Sequence, residues 1–319
     1  MVHYIDDFLF VIESHQLAQQ QLESALELCV QLGIPMAPTK TIGPCTQLTF
    51  LGVQLDTVTM TASLSSERLD KIQSLLEVWA KKWTATVKEL QSITGVINWA
   101  AQVVRPGRSY LRRIIDHTVS LKRSTRTHRL SPDVLRDIQW WREFIAVWNG
   151  TSILLELEWT RASTIQLYTD ACESGYGATY GRYWIEGRWS EDQLSVARNK
   201  GKLKLSMPYL ELLSLVLAVV TWSTMWSGMK IVFRSDCMPV VQSLNRRSSK
   251  IPRSMGLIRH LSTVAALHDF DFRCTHIAGV LNVAADALSR DDLDTFRADQ
   301  PLANRIQSDT GVIPNLHRL

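Results

Sequence analysis

Four carboxylates stand where hydrophobic patterning places no charge. Asp170 closes the strand-like run IQLYTD, Glu211 lies inside PYLELLSLVLAVV, Asp236 closes IVFRSD, and Asp286 opens ADALSR. An ionised carboxylate buried without a partner is costly, so each of these needs a counter-charge. Four carboxylates with no Cys or His cluster beside them form a hard-oxygen site, suited to Mg²⁺ or Mn²⁺. Two such ions about 3.5–4 Å apart are a standard device for phosphodiester hydrolysis, one activating water and both stabilising charge on the phosphorus and the leaving oxygen. His276, ten residues before Asp286, adds a proton carrier for leaving-group protonation or product release. Each residue alone has a plainer reading. An Asp at a strand end caps a turn, Asp286 is a helix cap or dipole partner, Glu211 pairs with an Arg, and His276 donates to a core carbonyl. Taken together, in the order Asp–Glu–Asp–Asp, they favour the metal site.

A second carboxylate pair, Asp6 and Asp7, sits in the otherwise apolar HYIDDFLF at His3–Phe10. Adjacent buried acids again call for Mg²⁺. From Arg105 to Arg129 the chain carries eight Lys or Arg against the single acid Asp116. Such a stretch is either a solvated face or a contact to phosphates, here through Arg105, Arg108, Arg112, Arg113, Lys122 and Arg123. Arg246, Arg247, Lys250 and Arg253 form a shorter basic link of the same kind.

The elements that must position these groups fall into two textures. Val2–Ile12 reads as a hairpin with the Asp pair at its tip, and Gln16–Leu32 as a helix stopped by Gly33 and Pro35. A strand pair at Leu48–Met60, helices at Ser65–Ala80 and Thr86–Val104, and the aromatic helix DIQWWREFIAVW ending at Asn149–Gly150 follow. From Thr164 the pattern changes to strands at Ile165–Tyr168, Gly175–Tyr183 and Trp184–Trp189, then alternating helix and strand: an α/β arrangement. After Arg290 the chain turns polar, with Pro301 and Pro314, and is expected to be loosely ordered. The Trp residues at 79, 83, 99, 140 and 141 read as core packing.

The 319 residues suffice for two or three domains; 45% are hydrophobic and 21% charged, the balance of a globular protein. A formal charge of +4 permits a nucleic-acid partner without demanding one. Five scattered cysteines with no CxxC pair argue against a disulfide framework or structural zinc. Acidic residues close to Met1 argue against a signal peptide, and the apolar run Leu213–Val220 looks too short for a membrane span. The expectation is an intracellular protein, cytoplasmic or nuclear, with no membrane partner.

YTDACESGYGATY, the Glu211 helix, FRSDCMPVVQSL and HIAGVLNVAADALSR resemble, in order, the four motifs of type 1 ribonuclease H, above all the versions fused behind retroelement reverse transcriptases. The likeness spans about Thr164–Arg290. It implies that Asp170, Glu211, Asp236 and Asp286 ligate two Mg²⁺ ions, with Mn²⁺ as a substitute, and that His276 is the auxiliary histidine. The RNA strand of an RNA–DNA hybrid would be hydrolysed, leaving a 3′ hydroxyl and a 5′ phosphate. The chain lacks the long basic, Trp-rich excursion with which cellular ribonucleases H grip hybrids, so binding is expected to lean on the preceding domain. YIDD at Tyr4–Asp7 resembles the YxDD hairpin of reverse transcriptases, which makes Asp6 and Asp7 a metal-binding polymerase remnant. Lys40 in GIPMAPTK resembles the lysine that protonates pyrophosphate, or is a surface lysine. FLGVQLD resembles the primer grip; SSERLDKIQSLLEVWAKK and TVKELQSITGVINWAAQVVRPGRSYLRRII resemble the thumb and connection.

The resulting expectation is an α/β chain. Residues 1–60 form the back of a reverse-transcriptase palm (α+β) and 61–160 a helical thumb and connection. Residues 161–290 form a ribonuclease H-like mixed five-stranded sheet with flanking helices, and 291–319 a tail. A polymerase also needs an aspartate from an earlier palm strand and fingers, so this chain is expected not to polymerise DNA alone. The fingers and the rest of the palm would be its partner. The ending VAADALSRDDLDTFRADQPLA resembles LTR/DIRS-Ngaro retrotransposons. Two alternatives stay open: a piece of a working RNA-directed DNA polymerase, and an inactive remnant that binds nucleic acid through Arg105–Arg129.

Overall fold

A computed structural model describes residues 1–121, 124–148, 151–153, 159–160, 166–198 and 204–305. Strands β1 (Val2–Tyr4) and β2 (Asp7–Leu9) make a hairpin with Tyr4 opposite Asp7, and Ile5 in its turn takes φ 52°. Helix α1 (His15–Gln31) starts at Ser14, whose side chain accepts from the Leu17 N–H, and it buries no residue. Strands β3 (Gln47–Phe50), β4 (Val53–Asp56) and β5 (Thr61–Leu64) form an antiparallel meander. The expected pair is therefore part of a four-stranded antiparallel sheet, in which β5 also pairs with Thr151–Ile153; TASL is too short to announce a strand.

Helix α2 (Ser66–Ala80), β6 (Thr84–Thr86), α3 (Val87–Ala100), α4 (Arg112–Ser120), β7 (Thr127–Arg129), α5 (Pro132–Val147) and β8 (Thr151–Ile153) follow. Thr86 and Glu89 close a capping box that starts α3. Leu76, Leu90, Ile97, Ile114, Ile138 and Trp141 meet in one apolar cluster, each at most 1% exposed. Helix α3 ends at Ala100, four residues short of the expected Val104, and a 3₁₀ turn follows at Arg105–Tyr110 with Pro106 in its first turn, where a missing N–H costs nothing.

The later half holds β9 (Leu167–Ala171), β10 (Gly175–Tyr180), β11 (Tyr183–Arg188), α6 (Glu191–Ala197), α7 (Met207–Trp222), β12 (Lys230–Ser235), α8 (Met238–Arg246), α9 (Pro252–Leu267), β13 (Asp271–His276), α10 (Val283–Ser289), α11 (Leu293–Asp299) and β14 (Asn304–Arg305). The sheet order is β13-β12-β9-β10-β11-β14. Strand β12 runs parallel to β13 and β9, and β9, β10 and β11 are antiparallel: the expected mixed five-stranded sheet with flanking helices, to which β14 adds a short sixth strand at the β11 edge. Successive strand residues face opposite ways, and Ile185 joins the cluster with α7 and α9 whereas Trp184 joins α10 and α11.

Two expectations are corrected here. The tail is ordered as far as β14, because Phe296 of α11 is fully buried beside Trp184, and β14 pairs with β11. Residues 306–319 lie outside the described residues. The apolar run around Leu213 belongs to a longer helical stretch, Met207–Met225, long and apolar enough by length and composition to cross a membrane. In this fold it is the central core helix, with Leu210, Leu213 and Val219 at most 1% exposed.

Candidate metal centre

Glycine sets the approach of the last helix. A Cβ on Gly177 would lie 2.4 Å from the Leu288 Cβ and 2.6 Å from the Ala285 carbonyl oxygen, so only glycine lets α10 lie this close to β10. Gly177 is opposite Asp170 in the register, and α10 thereby reaches that carboxylate. The Ser289 hydroxyl donates to Asp170 Oδ2 at 2.6 Å. On the same strand, Ser214 of α7 donates to the Asp170 carbonyl at 3.1 Å, and Asn282 donates to the Thr169 carbonyl at 3.0 Å. Ser214 lies one turn beyond Glu211, so this bond fixes where Glu211 meets β9. Asp236 follows β12, at the end of the strand, as expected. Asp170 differs: β9 continues through Ala171, so Asp170 is inside the strand.

One carboxylate oxygen each from Asp170, Glu211 and Asp236 lie within 4.8 Å of one another. Glu211 is buried, and its Oε2 has no hydrogen-bond partner. Burial pushes its carboxyl up to about 9, with the charges of Asp170 and Asp236 adding to the shift. Asp170 is raised to about 6, chiefly by burial; Ser289 opposes this, and Asp236 and Asp286 reinforce it. Three acids that repel one another, one of them with an orphaned buried oxygen, fit a hard divalent cation: such an ion supplies the missing charge and the missing ligand bond.

Asp286 stands beside this group rather than in it. Its Oδ1 accepts from Arg290 Nε at 2.8 Å, while its charge reaches Asp170. His276 closes β13 opposite Ser235, one residue before Asp236, and is exposed. Sequence reasoning missed Ser289 and Asn282, which orient the Asp170 strand, and Gly279, where a Cβ would lie 3.1 Å from Asp236 Oδ2. The available signal for Ser289 was its place one helical turn after Asp286 in ADALSR.

The hairpin places Asp6 in its turn and Asp7 at the start of β2, both exposed and far in sequence from the three-acid group. The expectation that these acids are buried is corrected: the strands are three residues long and both acids are exposed. Lys40 ends an exposed 3₁₀ turn. The basic residues divide. Arg113 and Arg247 are corrected from surface contacts to internal ones: Arg113 donates to buried Asp137 at 3.1 Å, and Arg247 pairs with Asp271 at 2.5 Å while lying over Phe272. Arg112 pairs with Asp116 at 2.7 Å. Arg108 and Arg246 are exposed and Arg105 is half-buried. Lys122 and Arg123 lie outside the described residues.

No family model matches the chain. Polyprotein P3 of Commelina yellow mottle virus is 24% identical over 292 residues, which cover 90% of this chain; the chain spans only 14% of that polyprotein's length. Among solved structures, the foamy viral protease–reverse transcriptase in complex with RNA/DNA hybrid is 17% identical, over 83% of this chain and 34% of that one, with a TM-score of 0.36. Ribonuclease H1 from the halophilic archaeon Halobacterium salinarum NRC-1 is 18% identical, over 41% of this chain and 98% of that one, with a TM-score of 0.29.

Proposed function

We propose that this chain cuts within the RNA strand of RNA–DNA hybrids, using Asp170, Glu211, Asp236 and Asp286 to hold two Mg²⁺ ions, for which Mn²⁺ substitutes. The observation that carries this reading is the convergence of Asp170, Glu211 and Asp236 within 4.8 Å, around an unpartnered buried carboxylate oxygen. When bound, the ions supply an activated water and stabilise charge on the phosphorus and the leaving oxygen. The chain supplies the rest. Ser289 holds one Asp170 oxygen in place, Glu211 contributes a buried carboxylate oxygen without a hydrogen-bond partner, and Asp286, steadied by Arg290, adds negative charge beside Asp170. His276, exposed at the sheet end next to Asp236, takes the role of proton carrier.

In this reading residues 161–290 are the nuclease domain, 61–160 a thumb and connection, 1–60 the back of a polymerase palm, and 291–319 a tail. The protein belongs with LTR/DIRS-Ngaro retroelement polyproteins and acts inside the cell. The test is digestion of a hybrid labelled on its RNA strand, with product ends determined. Internal cuts with 3′ hydroxyl and 5′ phosphate ends, stopped by EDTA, are expected. Cutting that persists in the chelator contradicts the proposal.

A further inference from the structure

Asp236 stands between two elements, and each is tied at its far end to the earlier half of the chain. Strand β12 leads into it, and helix α8 starts two residues after it. Strand β12 pairs with β9 only through Phe233 and Arg234. Near its start Thr160, which precedes β9, takes the place of a partner strand. The Thr160 N–H donates to the Lys230 carbonyl at 2.9 Å, and the Val232 N–H donates to the Thr160 hydroxyl at 2.9 Å. Gln166 extends this tie: its Nε2 donates to the Thr160 carbonyl at 3.1 Å, and its Oε1 accepts from Arg234 Nε at 2.7 Å. Trp159 lies beside two cations of the same sheet, Lys230 at 5.8 Å and Arg273 at 4.7 Å from its ring centre.

The far end of α8 is held as well. Asn245 exchanges two hydrogen bonds of 2.8 Å with the backbone of Cys274 in β13, and Arg247 closes the helix at φ 49° and pairs with Asp271. The Arg247 carbonyl is reached at 3.4 Å by the hydroxyl of Ser109, which also shares a hydrogen bond of 2.9 Å with Ser262 of α9. The Ser109 carbonyl accepts from Arg259 Nε at 3.1 Å. Ser109 and Arg259 are fully buried, so a lost partner here is not replaced by bulk water. Ser109 belongs to the 3₁₀ turn Arg105–Tyr110, which is pressed against the helical core: a Cβ on Gly107 would lie 2.3 Å from the Trp141 ring.

We infer that Thr160 and Ser109 are positioning residues for Asp236: the earlier half of the chain clasps the β12–Asp236–α8 unit at both ends and so sets the metal centre. The inference rests on the reading of the three acids as a metal site. Both residues act through the backbone of β12 and α8. Asp170 and Glu211 are placed by contacts inside the later half, through Ser289 and Ser214. Asp236 is the acid whose place depends on the earlier half.

The test uses the full chain with Thr160→Val, Thr160→Ser and Ser109→Ala, following Mn²⁺ binding by calorimetry and amide exchange by NMR. Thr160→Val and Ser109→Ala should each weaken Mn²⁺ binding about fivefold, the equivalent of one hydrogen bond. Thr160→Ser keeps the hydroxyl and should bind as the native chain does. In the metal-free chain the Val240 and Val241 amides, which bond the Cys237 carbonyl as α8 begins, should exchange about fivefold faster in Ser109→Ala. The Asp286 amide of α10 should keep its rate. A lower melting temperature with unchanged Mn²⁺ affinity in Thr160→Val and Ser109→Ala overturns the inference. So does Thr160→Ser binding as weakly as Thr160→Val, or exchange that quickens in α10 as much as in α8. If the native chain takes up no Mn²⁺ while α8 exchange responds as expected, the clasp stands and the metal reading falls.

Discussion

Replacing Glu211 with Gln should stabilise the metal-free chain and abolish its response to metal. The carboxyl of Glu211 is raised to about 9, first by burial and then by Asp170 and Asp236. In the unfolded chain it titrates at its ordinary 4.5. Because the native state binds the proton more tightly, this group's contribution is fully present below 4.5 and is lost as pH rises towards 9. At 1.36 kcal/mol for each pH unit between 4.5 and 7, keeping the native carboxyl protonated at neutral pH costs about 3 kcal/mol. Glutamine has the same shape, needs no proton, and keeps an oxygen to accept the Ala171 N–H that now serves Glu211. The variant in EDTA should therefore melt about 6–12 °C higher at pH 7, with the gain shrinking towards zero near pH 4.5. Saturating Mg²⁺ should stabilise the native chain and leave the variant unmoved, since binding stabilises only the form that holds the ligand. Thermal denaturation at pH 5, 7 and 8.5, with EDTA and with Mg²⁺, reads all of this. A variant less stable than the native chain in EDTA throughout that range refutes the reasoning.

Three further outcomes follow from named contacts. Ser289→Ala removes the hydroxyl that donates to Asp170 Oδ2, so Mn²⁺ affinity measured by calorimetry should fall about tenfold, whereas an unchanged affinity would leave Ser289 without a role at the site. Gly279→Val would press a side chain on Asp236 Oδ2; hybrid cleavage should drop about tenfold while the metal-free melting temperature holds. Arg259→Met strips buried Asp137 of one of its two arginine partners and should cost about 3 kcal/mol in urea unfolding, most of it recovered by adding Asp137→Leu. An unmoved urea midpoint in the single variant would contradict the buried pair.

The candidate site was legible because charge in an apolar setting is a strong signal. Glu211 amid Leu210, Leu212 and Leu213 marks itself, and the strand endings IQLYTD and IVFRSD point at the same sheet edge. A helix start was legible at Thr86, where a capping residue announces it, whereas α5 starts at Pro132, ahead of the expected DIQWWREFIAVW. What failed to show was partnership. Arg113 and Arg247 look like any surface arginine until the fold brings Asp137 and Asp271 to them. The tail was misread because one residue, Phe296, anchors an otherwise charged helix, and its partner Trp184 lies more than a hundred positions earlier. Gly177 and Gly279 are silent in one dimension as well, since only the packed helix or carboxylate beside each shows why a side chain is excluded.

If Asp170, Glu211 and Asp236 form a metal-dependent nuclease site, an RNA–DNA hybrid labelled on its RNA strand reports it. The native chain and Asp170→Asn would be compared in Mg²⁺ at equal concentration, with folding of both checked beforehand. Internal cutting by the native chain and none by the variant is the expected result. Cutting by both, or a folded native chain that binds the hybrid without cutting it, would contradict it.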